Sequence, residues 1–270
     1  MKPRKLAEIS VLYSDEDFVA VDKPAGISTV SERWEPEKKC LIDRVWDLWK
    51  KTDPESLRPH VVHRLDKDTT GVILFARHGE AQSELRKQFM NRTTKKVYHT
   101  LVEGLPEPTQ GEISFHVEEN PGKPGTMRIR RQGKECHSAF ELLKAYDQHS
   151  WVEVRPKTGR THQVRLTMAQ LGSPCCCDPV YGSGEPLLLS DYKRTYKPGR
   201  GDVERPLLSR LGLHAAKLTV QHPSNAARFE SDRDLRRSRL QRSGRSHAPA
   251  CCSHTSCIRR SASGRFRRKR

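Results

Sequence analysis

Asp66 is the side chain in this sequence that is best placed to take part in a reaction. It lies two residues after Arg64, in a short hydrophilic stretch that leads into the apolar run Val72–Ala76. Neighbouring positive charge favours the charged form of a carboxyl group, so we expect Asp66 to be ionised. Such a carboxylate is a candidate reactive group, although an Asp close to an Arg more often forms a structural ion pair.

Two further stretches could bind a phosphate or a base. Gly159 forms a turn before a predicted helix with three polar donors in its first turn, and such a helix start can hold an anion. Tyr98 follows Lys95 and Lys96 on a predicted strand, a pattern suited to base stacking. Each stretch also has a commoner explanation, a capped helix start for the first and a core tyrosine for the second. None of the three features alone identifies a reaction.

The hydrophobic pattern predicts the elements that would position these groups. Strands are expected at 18–21, 72–76, 97–102, 112–117, 136–146, 151–155 and 213–220, and helices near 40–50, through 81–89 and over 161–171. Strands outnumber helices, and few β-α-β alternations are regular. We therefore expect an α+β fold with a mostly antiparallel or mixed sheet. The basic segment between Gly182 and Arg210 is too long for a plain connection and is expected to be a functional loop.

Composition and charge narrow the class of protein. The net charge of +17 favours a polyanionic partner, but residues 231–270 hold thirteen Lys and Arg against two Asp, a net +11, which leaves +6 for residues 1–230. We see no signal peptide and no membrane span, and expect a cytoplasmic protein. The eight cysteines form neither a disulfide framework nor a paired zinc spacing. We expect no metal, although the tail set Cys251, Cys252, His254 and Cys257 is a conceivable ligand group.

Several of these stretches occur together in a set order that resembles a known family. His63-Arg64-Leu65-Asp66-Lys67-Asp68-Thr69-Thr70-Gly71 is similar to the HRLDxxTSG signature of the RluA family of pseudouridine synthases. Four other stretches resemble the family in the family's order. They are Val21–Gly26, Lys96–Gly104, Thr158–Arg165 with Asp178–Gly182, and Leu213–Ala216 with His222-Pro223. The resemblance spans about residues 10–230.

The resemblance implies a pseudouridine synthase fold with a central RNA-binding cleft, and a reaction without a cofactor. Uracil is detached from ribose C1′, rotated and rejoined through C5. The family's catalytic aspartate falls on Asp66, its aromatic residue on Tyr98 and its basic partner on Arg165, which is expected to pair with Asp66. A carboxylate suits the task as an oxygen nucleophile. It could equally stabilise or deprotonate a glycal-like intermediate, and the sequence leaves both routes open.

The expected partner is structured ribosomal or transfer RNA, bound by a protein that we expect to be a monomer without a small-molecule cofactor. A base in a stem must be flipped out before it can react. Arg64 directly precedes Leu65 and Asp66, and we expect it to fill the vacated stack. The predicted RNA-binding residues are Arg64, Arg160, His162, Lys193 and Arg194.

The sequence departs from the family pattern at a few positions. Thr70 replaces the usual Ser, and Cys177 stands where the family usually has a glycine, which raises the question of its backbone conformation. The chain reaches the catalytic region almost at once, so no S4 RNA-binding domain is expected. We expect a catalytic domain at 1–230, followed at 231–270 by a basic, disordered tail that is either an RNA-binding arm or a frameshifted end.

Two other functions are compatible with parts of the sequence. A catalytically inactive RNA-binding member of the same family would keep the basic surface but would not need Asp66, Tyr98 and Arg165 together, and all three are present. An unrelated glycoside-cleaving enzyme usually needs a pair of carboxylates, and only Asp68 accompanies Asp66. The first alternative is therefore the stronger one.

Overall fold

The structure, a computed structural model, describes residues 8–31, 37–193, 195–196, 199, 203–225 and 227–232. The expected tail from residue 233 onward, with its four conceivable metal ligands, lies outside the described residues, and so does Arg194. Within the described part, no helix is long and apolar enough to span a membrane, and no group of three or more His, Cys, Asp or Glu side chains could hold a metal ion.

The described residues form eleven strands and three helices around one sheet. In chain order they are β1 (Ser10–Ser14), β2 (Phe18–Lys23), α1 (Leu41–Trp49), β3 (His60–Val61), β4 (Thr70–Ala76), α2 (Gly79–Met90), β5 (Lys95–Glu103), β6 (Gln110–Glu119), β7 (Met127–Arg130), β8 (Lys134–Ala145), β9 (His149–Pro156), α3 (Gln163–Gln170), β10 (Leu213–Gln221) and β11 (Arg228–Asp232). The sheet order is β1-β2-β4-β10-β5-β9-β8-β6-β7, with β3 beside β4 and β11 beside β10. β4 and β10 pair in parallel, and the other described pairs are antiparallel. The predicted α+β class with a mixed sheet is confirmed.

Each predicted strand and helix is present, with three differences in detail. The sequence pattern missed the strands β1, β3, β7 and β11, which have two to five residues each. Helix α3 begins at Gln163 rather than at Thr161, because His162 has a φ of 56° and a left-handed residue cannot belong to the helix. Strand β11 pairs with β10 through Asp232, so sheet pairing continues two residues beyond the expected boundary at 230.

The core is built on β4, which is buried along its whole length. Its side chains alternate between two faces of the sheet. Ile73 and Phe75 pack with α1, whose buried residues recur at helical spacing, and Val72 and Leu74 pack with α2 on the other face. A strand covered by a helix on each side must be apolar at every position, which explains the unbroken run in the sequence. The turn that contains Asp66 leads directly into this strand.

Gly71 allows β4 to lie against β10 just after that turn. Its φ is 112°, and a Cβ built on it would lie 2.2 Å from the carbonyl oxygen of Ala215. The neighbouring hydroxyl of Thr70 contacts Nδ1 of His214 at 2.8 Å and donates to the carbonyl of Leu213 at 3.3 Å. The hydroxyl that Thr70 shares with the family's usual Ser therefore helps to join the two strands.

We expect Gly71→Ala to lower the free energy of unfolding by about 3 kcal/mol or more, because the new methyl group overlaps backbone atoms and the φ is unfavourable for alanine. Gly79→Ala is the matched control, since a Cβ at the start of α2 meets nothing within 4 Å. Urea denaturation followed by circular dichroism measures both. Equal stability of the two variants would contradict the close approach of β4 and β10.

Candidate active site

Asp66 lies in a turn whose backbone is held on both sides. The side-chain hydroxyl of Thr29 accepts from the backbone N–H of Leu65 at 3.2 Å and donates to its carbonyl at 2.9 Å. The backbone N–H of Thr69 donates to the carbonyl of Asp66 at 3.1 Å. Leu65 itself is buried in the core beside α1. The carboxylate, 29% exposed, therefore projects from a fixed backbone.

Lys23 binds the backbone of the same turn through its buried side chain. Its side chain is fully buried, and Nζ donates to the carbonyls of Pro24, Lys67 and Thr69 at 3.1, 2.7 and 2.8 Å. Burial lowers the pKa of Lys23 to about 8, against the opposing effect of the charges on Asp68 and Asp66. The group is still an ammonium at neutral pH, and a buried cation beside the turn favours negative charge on it. Lys23 belongs to one of the family-like stretches, but the sequence did not indicate this role.

Arg165, on α3, lies beside Asp66 but binds another carboxylate. Its Nε and Nη2 donate to the two oxygens of Asp178 at 2.7 and 2.6 Å, whereas Nη1 is 3.8 Å from Oδ2 of Asp66. Arg165 thus makes its two hydrogen bonds with Asp178, and its expected partner Asp66 is the more distant member of a second ion pair. A guanidinium presents its donors as a planar fork, so two edges can serve two carboxylates.

Asp178 is fully buried and is held by further donors. The backbone N–H groups of Val180 and Tyr181 donate to its Oδ1 at 2.9 and 3.2 Å. Burial opposes its ionisation, but the hydrogen bonds and charge of Arg165 outweigh this and lower the pKa of Asp178. The pair is therefore a buried ion pair with its hydrogen bonds satisfied, the arrangement in which such a pair is tolerated.

His162 faces Asp66 from the start of α3. Its Nε2 is 4.0 Å from Oδ2 of Asp66, and its Nδ1 is 2.9 Å from the hydroxyl of Tyr181. That hydroxyl also accepts from the backbone N–H of Met127 at 2.8 Å and donates to the carbonyl of Met127 at 3.1 Å. The guanidinium carbon of Arg165 lies 4.9 Å from the centre of the Tyr181 ring. The structure thus places His162, predicted only as an RNA contact, next to the candidate catalytic carboxylate.

Tyr98 lies on β5, between Ala215 of β10 and Val154 of β9. It packs against two of the buried apolar clusters, the one that includes α1 and the one that includes Val164 and Met168 of α3. Burial raises its pKa above the ordinary value for a tyrosine, and the negative charge of Asp66 raises it further. The phenol is therefore protonated at neutral pH and is suited to donate a hydrogen bond. It is correspondingly poor as a proton acceptor.

The loop before α3 is held by Gln163, which lies in the helix start that we expected to hold an anion. The amide of Gln163 donates to the carbonyl of His137 and the hydroxyl of Ser138, both at 3.0 Å, and its oxygen accepts from Thr158 at 2.7 Å. Gln163 is buried, so its side chain is not a donor to a ligand. Lys96 Nζ adds a bond of 2.8 Å to the carbonyl of Thr158.

The other predicted RNA-binding residues are more exposed. Arg64 is exposed next to Leu65 and Asp66. Arg160 is partly exposed, with its Nε donating to the carbonyl of Glu135 at 3.1 Å. Lys193 is exposed in the segment between α3 and β10, where its backbone N–H donates to the carbonyl of Leu189 at 2.9 Å. These positions keep their side chains or part of them available to a large ligand.

Cys177, which stands where the family usually has a glycine, has the backbone conformation of a glycine. Its φ is 57°, in the left-handed region that glycine adopts without steric cost, and it directly precedes Asp178. The residue is buried, and its Sγ lies 3.6 Å from the carbonyl oxygen of Leu208. The chain therefore keeps the glycine-like backbone with a side chain that fits the space.

Comparisons with known proteins place these features in context. Residues 17–170 match a sequence model of the family described as RNA pseudouridylate synthase. An uncharacterised RNA pseudouridine synthase of Mycobacterium bovis is 33% identical over 84% of this chain and 70% of its own length. The dual-specificity RNA pseudouridine synthase RluA of Escherichia coli O157:H7 is 32% identical over 83% of this chain and 93% of its own.

Two solved human structures have the same fold. Human RNA pseudouridylate synthase domain containing 1 is 26% identical, with a TM-score of 0.62 over 87% of this chain and 86% of its own. Human RNA pseudouridylate synthase domain containing 4 gives a TM-score of 0.63 over 85% of this chain and 90% of its own, and at 23% identity this likeness concerns the fold alone.

We expect Cys177→Gly to be more stable than Cys177→Ala by about 1 kcal/mol, because both remove the thiol but only glycine adopts the left-handed conformation freely. At most buried positions the order is reversed. Cys176, which is buried without a positive φ, provides the matched pair Cys176→Gly and Cys176→Ala. Urea unfolding of the four variants compares the two positions, and the same Ala-over-Gly order at both would show that Cys177 is unstrained.

Proposed function

Since the chain belongs to the RluA-type family of RNA pseudouridine synthases, which are isomerases, we propose that it converts specific uridines of ribosomal or transfer RNA to pseudouridine with Asp66 as the catalytic carboxylate. Relatives that match most of this chain carry the name of dual-specificity RNA pseudouridine synthase. The net charge of +6 over residues 1–230 fits an RNA substrate.

The geometry of Asp66 is the observation that carries the proposal. Its carboxylate is 29% exposed, whereas the side chains of Arg165 and His162 that face it are only 7% and 12% exposed. A ligand can therefore reach the carboxylate while water has little access to the groups behind it. Charges in such a place act more strongly than on the surface, because the local dielectric constant is lower.

Either chemical route uses an ionised Asp66. As a nucleophile, one oxygen bonds to ribose C1′ while the N1–C1′ bond breaks and uracil leaves with the electron pair. After rotation, C5 attacks C1′, the carboxylate leaves, and the C5 proton is lost while N1 gains one. As a base, Asp66 instead removes the C2′ proton of ribose while the N1–C1′ bond breaks, which gives a glycal-like intermediate and the uracil anion. C5 then bonds to C1′ as Asp66 returns the proton to C2′, and the C5 proton is lost while N1 gains one. In both routes Arg165 stabilises the carboxylate before it reacts.

The protonation state of Tyr98 limits its role in this reaction. A phenol whose pKa is raised by burial and by Asp66 stays protonated at neutral pH, so it can donate a hydrogen bond but cannot act as a base. We propose that Tyr98 packs against the target base and donates to it. A catalytically inactive RNA-binding protein is the second candidate, but it would not require the close set formed by Asp66, Arg165 and Asp178.

We expect Asp66→Asn to abolish pseudouridine formation, because a neutral amide can neither attack C1′ nor remove a proton. Ribosomal and transfer RNA from a strain lacking the gene are incubated with each variant, and new sites are mapped by carbodiimide treatment and primer extension. Asp68→Asn, an exposed carboxylate in the same turn, is the control and should still modify the RNA. Equal activity of the two variants would exclude Asp66 as the catalytic group, and no new site with the wild type would exclude the proposed function.

Base flipping is assigned to Arg64, whose exposed side chain directly precedes Leu65 and the catalytic turn. Extruding a base costs a few kcal/mol, and a planar guanidinium in the vacated stack would recover part of this. We expect Arg64→Ala to lower the flipped fraction of a fluorescent base analogue at the target position several-fold, with Arg86→Ala, an exposed arginine on α2, as the control. Unchanged fluorescence in Arg64→Ala would contradict this assignment.

A further inference from the structure

We propose that Tyr181 and His162 form a hydrogen-bonded pair that keeps an uncharged imidazole nitrogen facing Asp66, so that His162 is a positioning residue that sets the lower pH limit of activity. The inference rests on the proposed function of Asp66 and adds a second pair of residues to it. It explains why a histidine expected only as an RNA contact lies 4.0 Å from the catalytic carboxylate.

The contacts of the Tyr181 hydroxyl favour a proton on Nδ1 of His162 rather than on Nε2. The hydroxyl has one hydrogen, and this is donated to the carbonyl of Met127 at 3.1 Å. Its oxygen accepts the N–H of Met127 at 2.8 Å and still has a lone pair for Nδ1 of His162 at 2.9 Å. With the hydroxyl hydrogen on the Met127 carbonyl, we assign Nδ1 as the donor in that contact. A neutral imidazole with its proton on Nδ1 has a bare Nε2, and this is the nitrogen nearest to Asp66.

The backbone holds the imidazole in this place. His162 has a φ of 56°, and a non-glycine residue keeps such a conformation only where its surroundings impose it. The next residue, Gln163, is fixed by its buried bonds to Ser138 and Thr158. The carbonyl of His162 accepts the N–H of Leu166 at 2.9 Å, which joins it to the first turn of α3. The orientation of the ring is thus set by the protein rather than by a free side-chain rotation.

The charges around His162 decide when it becomes protonated. Burial is the largest influence and lowers the pKa of His162 below the ordinary value for histidine. Asp66, from the catalytic turn, and Asp178, from the loop after α3, act in the opposite direction, while Arg165 on α3 itself lowers the pKa further. The imidazole is therefore neutral at pH 7, and it gains a proton only in acid.

Protonation would change what Asp66 can do. A hydrogen on Nε2 would point at Oδ2 of Asp66 and draw the carboxylate into an ion pair, because the site is largely shielded from water. A carboxylate held in this way is a weaker nucleophile and a weaker base. Activity should therefore fall with acid as His162 takes up its proton. Without a proton, Nε2 forms no ion pair with Asp66, and the carboxylate remains able to interact with Arg165 and with the substrate.

The first test reads the protonated nitrogen directly and needs no RNA. Long-range ¹H–¹⁵N NMR on the full chain at pH 7.5, assigned with His162→Asn, should show His162 with a proton on Nδ1 and none on Nε2. In Tyr181→Phe the partner of Nδ1 is lost, and a mixture of the two tautomers is expected. A proton on Nε2 in the wild type, or an unchanged tautomer in Tyr181→Phe, would overturn the inference.

The second test is the pH profile of the single-turnover rate between pH 5 and 8 on an RNA that the wild type modifies. The wild-type rate should fall about tenfold per pH unit on the acid side, as for one titrating group. His162→Asn, chosen because asparagine tolerates a left-handed backbone, should vary less than about threefold over the range in which the wild type declines. The control His149→Asn should keep the wild-type profile.

The two tests separate this inference from the proposed function. Equal acid midpoints in wild type and His162→Asn, with Asp66→Asn inactive, would overturn the role of His162 and leave Asp66 as the catalytic group. Circular dichroism melting curves that match the wild type show that the variants are folded. If the wild type modified no RNA, the proposed function would fail, and the inference that rests on it would fail with it.

Discussion

The buried ion pair between Arg165 and Asp178 is the interaction on which the site depends. Both side chains are removed from water and meet through two hydrogen bonds of 2.7 and 2.6 Å. Removing one partner of such a pair leaves an uncompensated charge and typically costs about 3–5 kcal/mol. The pair also sets the plane of the guanidinium, and the edge that remains faces Asp66. The position of the Arg165 guanidinium thus determines the electrostatic field at the Asp66 carboxylate.

Backbone strain lies on both sides of this pair. His162 precedes Arg165 by three residues, Cys177 precedes Asp178 directly, and both have left-handed φ values of 56° and 57°. Each such residue costs of the order of 1–2 kcal/mol, so the fold tolerates a small loss of stability where the two chain segments meet. The strain turns both segments so that the guanidinium and carboxylate come together. Similar costs are common at sites where geometry is needed for function.

Much of the fold could be predicted from the sequence, because β2, β4 and α1 bury side chains at regular spacing. Strand β7 was missed, since its alternation of Met127 and Ile129 with two arginines covers only four residues, none of them buried, and is too short to predict a strand. Asp66, Tyr98 and Arg165 were predicted as catalytic residues from a set of motifs in a known order. The partner of Arg165 was missed although Asp178 lies in one of those motifs, because an order along the chain does not say which loop returns to which helix. For the same reason, nothing in the sequence connects Tyr181 with Met127.

Strand β4, which is covered by a helix on each face, limits how far the site can move when RNA binds. The carboxylate of Asp66 projects from a turn that is fixed to the buried core, with Leu65 in the core and Lys23 donating to the carbonyls of Lys67 and Thr69. The carboxylate of Asp66 therefore has little freedom to move toward a ligand. On binding, the RNA must therefore change its conformation more than the protein does. We expect a preference for uridines in RNA segments that deform at a low cost in free energy.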